Sequence, residues 1–107
     1  MKVQLAKGEA RVHIRYGQDA EQRRTTTVQI TLPAGDNAFD TWVETAICSK
    51  KDQFRRVEGR KTALWRLLNK SYKDFSREDR MKLWYAVMPE FCKGKRSKLL
   101  EGATDAN

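Results

Sequence analysis

The sequence predicts an α+β domain: a small antiparallel sheet of about three strands, packed by two or three helices that follow it in the chain. Three observations predict it. Residues 10–17, ARVHIRYG, and 25–33, TTTVQITLP, alternate apolar and polar side chains with period two. From Ser49 onward the apolar spacing changes to three and four, as on one face of a helix. A chain of 107 residues is long enough for one core and too short for two.

In the first strand Val12, Ile14 and Tyr16 share a face, with His13 and Arg15 on the other. Residues 18–24, QDAEQRR, are polar and read as the loop of a hairpin. Val28, Ile30 and Leu32 form the apolar face of the second strand, and Pro33 is expected to end it because it lacks an amide hydrogen. MKVQL at the start has the length and composition of a short edge strand, and AGDNA at 34–38 reads as a loop. The segment FDTWVETAICS fits two templates. Phe39, Trp42, Val43, Ala46 and Ile47 have helical spacing, whereas Val43, Thr45 and Ile47 alternate and are β-branched. A lone hairpin is marginal in water, so we assign a strand to 41–48.

Ser49 with Asp52 three residues later has the form of a capping box. It predicts a short helix from 50 to about 57 that stops at Gly59, a residue suited to a helix C-terminus. A second helix is expected from 60 to about 70, with Ala63, Leu64, Leu67 and Leu68 as its apolar stripe. Ser76 and Asp79 open a third, whose inner face is expected to be Met81, Trp84, Tyr85 and Met88 and which Pro89 closes. The segment after Cys92, KGKRSKLLEGATDAN, is basic and then acidic and reads as a flexible tail. The domain is therefore placed at 1–92 and the tail at 93–107.

The net charge is +8, which bears on partners rather than on fold. Nine basic residues stand against three acidic ones between Cys48 and Asp74, so this quarter of the chain carries +6. Arg56, Arg60 and Lys61 bracket Gly59 at the expected start of the main helix, where amides and the helix dipole favour an anion. Guanidinium groups add bidentate contacts to phosphate. Lys50, Lys51, Arg55, Arg56, Arg60, Lys61 and Arg66 are therefore the candidate nucleic-acid-binding residues. Trp65 lies beside the Leu64–Leu68 stripe rather than on its centre line, and is the candidate platform for stacking a base. The competing reading is an ordinary solvated helix face, with Phe54 in the core and Asp52 serving as a cap or as a partner of Arg55 or Arg56.

Enzyme signatures are missing: the sequence has no phosphate-binding glycine loop, no nucleophile elbow and no H-E-x-x-H. Asp36, Asp40 and Glu44 lie close in sequence, but no positioned nucleophile accompanies them, and His13 is the sole histidine. We assign no catalytic residue. Cys48, Cys92 and His13 do not have zinc-ligand spacing, so no metal or cofactor is expected. No apolar run approaches a membrane span and no leader is evident, so a cytoplasmic protein with reduced cysteines is expected, without membrane association. The sequence leaves the oligomeric state open.

Cys48-Ser49-x-x-Asp52-x-Phe54-x-Arg56-x-x-Gly59-Arg60, followed by Ala63-Leu64 and Arg66-Leu67, resembles a pattern found in small, largely uncharacterised proteins of bacteriophages and mobile elements. In that pattern a strand ends in C-S-x-x-D-x-F and an alanine-rich helix follows R-x-x-G-R. The resemblance covers about twenty residues and implies provenance more than activity. It implies a strand for 41–48 and two classes of partner. One is DNA or RNA, bound through the backbone. The other is a host nucleic-acid-processing protein or ribonucleoprotein, which the chain would inhibit in the manner of an anti-CRISPR. DNA mimics of that kind are acidic, and this chain is basic.

Overall fold

Even-numbered residues of the two central strands carry the core, as their alternation requires. The computed structural model of the protein describes residues 1–49 and 53–90. Its elements run β1 (Lys2–Leu5), β2 (Gly8–Gln18), β3 (Arg24–Gly35), β4 (Ala38–Ile47), α1 (Arg56–Lys70) and α2 (Arg77–Val87). The strands form one antiparallel sheet in the order β1-β2-β3-β4. One face of the sheet is covered: Val3, Leu5, Ala10, Val12, Val28, Ile30, Leu32 and Ala46 pack with Ala63, Leu64, Leu67, Leu68, Leu83 and Val87 from the helices. The opposite face, with Arg11, His13, Arg15, Thr27, Gln29, Thr31, Val43 and Ile47, carries no helix among the described residues.

The α+β class is therefore as expected, with four strands rather than about three, because MKVQL does form an edge strand. The ambiguous segment is a strand and begins earlier than expected, at Ala38. Pro33 does not end β3. The Cys48 amide donates to the Arg24 carbonyl, so even residues of β3 bond toward β4 and odd ones turn toward β2. Pro33 is odd, and pairing with β2 has already stopped at Thr31, so its missing amide hydrogen breaks no ladder bond. The expected loop at 34–38 shrinks to a turn at Asp36 and Asn37, with Asn37 in the left-handed region.

Two helices, not three, stand among the described residues. The short helix expected from 50 to about 57 falls partly outside them, and residues 53–55 are not helical. Gly59 is not a helix stop. It lies in the first turns of α1, and its amide donates to the Arg55 carbonyl at 3.0 Å. Glycine stands there because α1 crosses β3 at Thr26: a Cβ on residue 59 would fall 2.9 Å from the Thr26 Cβ and closer still to its hydroxyl.

At α2 the Ser76 hydroxyl accepts the Asp79 amide at 3.1 Å, the cap the sequence indicated. The Asp79 carboxylate turns inward instead of back to Ser76. It is buried and accepts the Ala6 amide through both oxygens, at 3.0 and 3.3 Å, fastening α2 to the β1–β2 turn. That contact lies on the same side of α2 as its buried face. Leu83 and Val87 follow Asp79 at four-residue steps and face the sheet, and Met88 is buried, whereas Met81, Trp84 and Tyr85 are half-buried. The expected inner face is thus corrected by about one residue's turn, leaving its aromatic side directed at α1.

The tail expected at 93–107 lies outside the described residues, as does the assignment of Cys92. No helix among the described residues is long and apolar enough to cross a membrane, and no cluster of three metal-ligating side chains occurs among them.

Candidate nucleic-acid interface

The fold divides the sequence-defined basic patch into three parts. Lys50 and Lys51 lie outside the described residues. Arg55 and Arg56 are exposed where α1 begins, beside the ends of β2 and β3. No side chain among the described residues caps the amides of that first turn; Arg55 occupies the cap position with extended backbone. The positive end of the helix dipole is joined by two guanidinium groups, with Glu58 the acidic residue of the turn.

Arg56 does not wave in solvent. Its guanidinium carbon lies 4.5 Å from the centre of the Tyr16 ring, and that of Arg24 lies 5.0 Å from the centre of Phe54. Tyr16 and Phe54 meet edge to face at 6.4 Å. Arg24, Phe54, Tyr16 and Arg56 thus make a continuous stack built from β3, the segment before α1, β2 and α1. A ring holds a guanidinium by its face and leaves the N–H edge available to an oxyanion. Among the described residues, no acidic side chain pairs with Arg24, Arg55 or Arg56. The neighbouring Arg23, by contrast, is held by Asp19 at 2.8 Å and Glu21 at 3.4 Å.

Arg60 belongs to the second part and is a structural residue. Its side chain is largely buried, its guanidinium donates to the Val87 carbonyl at 3.4 Å, and it is ion-paired with Glu90. It ties α1 to the end of α2. The expected anion seat formed by Arg56, Arg60 and Lys61 around Gly59 does not exist, because the Gly59 amide is bonded within the helix and Arg60 points into the helix–helix seam.

The third part is the outer surface of α1. Lys61, Trp65 and Arg66 are all exposed, but helical phase turns Arg66 about 100° from Trp65, toward the β4 side. Trp65 is 61% exposed and overhangs a cleft of about 470 Å³ between the two helices. Tyr72, Trp84, Tyr85, Arg77 and Arg80 also line it. Arg80 is fixed by the carbonyls of Tyr72 and Phe75, at 2.8 and 2.7 Å, whereas Arg77 is exposed at the start of α2. An indole left in water beside a second exposed ring and an arginine is suited to stacking a planar ligand.

Sequence reasoning missed Arg24, Tyr16, Tyr72, Arg77 and Trp84. The adjacent arginines Arg23 and Arg24 were a visible signal; the others become neighbours through packing alone. The residues weighed for catalysis are separated. His13 is exposed on the open face of β2, Asp40 and Glu44 project from the helix-covered face of β4, and Glu44 is paired with Lys70 at 2.8 Å. Asp36 sits in the β3–β4 turn. Comparison with protein-family models, with curated proteins and with solved structures finds no match to the chain.

Proposed function

We propose that the protein binds nucleic acid, DNA or RNA, in a sequence-tolerant way through its phosphate backbone, with Arg24, Arg55 and Arg56 as the principal phosphate contacts. The observation that carries this reading is the guanidinium–aromatic stack at the start of α1. It holds two arginines in fixed planes beside first-turn amides that no side chain among the described residues caps, which lowers the entropic cost of gripping an anion. Trp65 and the cleft beneath it favour single strands, because unpaired bases can stack on an exposed ring and paired ones cannot. The net charge of +8 adds attraction at long range.

Fluorescence anisotropy with labelled single- and double-stranded DNA and RNA tests the proposal. The logarithm of affinity should fall linearly with the logarithm of salt, with a slope of about −0.7 for each phosphate contacted on a single strand. Replacing Arg24, Arg55 and Arg56 by Gln should flatten that slope and weaken every probe alike. Absence of binding to all four probes at low salt would refute the reading. The basic surface would then belong to an acidic protein or ribonucleoprotein partner, detectable as a nuclease-resistant complex in host lysate.

A further inference from the structure

The sheet has two edges, and they are built differently. The β1 edge is four residues long and begins with Lys2, the short and charged form by which proteins keep an edge from pairing. The β4 edge is ten residues long and contains no proline, lysine or arginine. Its open-face side chains are Phe39, Thr41, Val43, Thr45 and Ile47, a row without a single charge on a chain of net charge +8. Phe39, Val43 and Ile47 are 64%, 53% and 49% exposed.

The backbone adds a second fact. Because the Cys48 amide donates to Arg24 within the register that pairs Thr25 with Ile47, the even residues of β4 bond to β3. The odd residues, 39 to 47, direct their N–H and C=O groups outward. The residues that present the apolar row are therefore also those whose ladder groups have no backbone partner among the described residues.

We propose that β4 pairs with β4 of a second copy, antiparallel about a twofold axis at Val43, joining two four-stranded sheets into one. The register is self-complementary. Phe39 meets Ile47 of the second copy, Thr41 meets Thr45, and Val43 meets its own equivalent, each a position with outward hydrogen-bonding groups. On the helix-covered face Trp42 meets Glu44 and Asp40 meets Ala46, so no like charges stand opposite one another. The α1 helices do not obstruct this arrangement. Each lies across β3 and β4, so strand spacing sets the two about 10 Å apart, a normal helix-packing distance. A twofold, isologous contact closes on itself and stops at the dimer.

Sedimentation equilibrium and hydrogen exchange on the full chain test this. The wild type should be a concentration-dependent dimer, and the amides of Thr41, Val43 and Thr45 should become protected as it forms. Val43→Pro removes a donor that no backbone bond among the described residues uses; it should give a folded monomer. Thr31→Lys, on the open face of β3, should remain dimeric. A monomer at every concentration would overturn the proposal. So would a dimer in which the odd-numbered β4 amides still exchange freely. A dimer that Thr31→Lys breaks and Val43→Pro spares would also overturn it, because it would be packed face to face.

Discussion

Gly59 of α1 and Thr26 of β3 touch backbone to side chain, and the approach leaves no room for a Cβ on residue 59. Thr26 is fully buried at that point, and its hydroxyl has no hydrogen-bond partner among the described residues. An alanine for glycine in an ordinary helix gains about 1 kcal/mol. Here we expect the opposite sign, with Gly59→Ala destabilising by about 1–3 kcal/mol through overpacking. Urea unfolding measures it. Thr26→Ala removes the hydroxyl and methyl that collide, so the double variant should lose less than the sum of the two single ones. Additive losses would show that the contact relaxes without cost.

Asp79 makes a second long-range fastening, and its removal should be equally visible. Asp79→Ala leaves the Ala6 amide without its acceptor and should cost about 1–3 kcal/mol. Asp79→Asn keeps one carbonyl oxygen and should cost less. Both are read by denaturant midpoint. Equal losses in the two variants would mean that the carboxylate's charge, rather than the bond to Ala6, matters at this position.

These two contacts show where the sequence stopped being informative. The alternation of Val12, Ile14, Val28 and Ile30 requires a sheet, and the cap at Ser76 requires a helix start, because both signals are local. Gly59 carried a local signal as well, and it pointed to a helix end. The same residue type serves a close approach, and distinguishing the two needs Thr26, which is remote in sequence. Met81, Trp84 and Tyr85 fit an inner face by size, yet α2 is turned so that Leu83 and Val87 point inward, on the side where Asp79 bonds Ala6. In the candidate site, the exposure of Trp65 was legible because the residue sits off its helix's apolar stripe. Arg60 was placed in the basic patch because its partners, the Val87 carbonyl and Glu90, are remote in sequence, and Arg24 was overlooked because Phe54 is brought to it through folding.

Acid should loosen the hairpin turn. Burial acts to raise the pKa of the Asp19 carboxyl, but the Arg23 amide and guanidinium and the Glu21 amide bond to it, and together they hold it below its ordinary value. A carboxyl with a lowered folded pKa stabilises the fold above its unfolded pKa and stops doing so as pH falls through the folded one. The stability gap between wild type and Asp19→Asn should therefore be constant near neutral pH and shrink below about pH 4. Glu90, lowered by its own backbone amide and by Arg60 against the opposing effect of burial, should behave in the same direction in Glu90→Gln. Urea titrations at a series of pH values check both. A gap that widens on acidification would contradict the assigned contacts.

Trp65 offers the cleanest separation of binding from folding. The residue is 61% exposed, so Trp65→Ala should change stability by no more than about 0.5 kcal/mol. If the indole stacks a base, the same variant should lose about 1–3 kcal/mol of single-strand affinity. Trp65→Phe keeps a ring and should recover part of that loss. Duplex affinity should barely change, because it rests on Arg24, Arg55 and Arg56. Thermal unfolding and anisotropy on the same preparations distinguish the cases. A Trp65→Ala variant that melts early would show that the residue supports the helix pair, and one that binds single strands as wild type does would remove it from the interface.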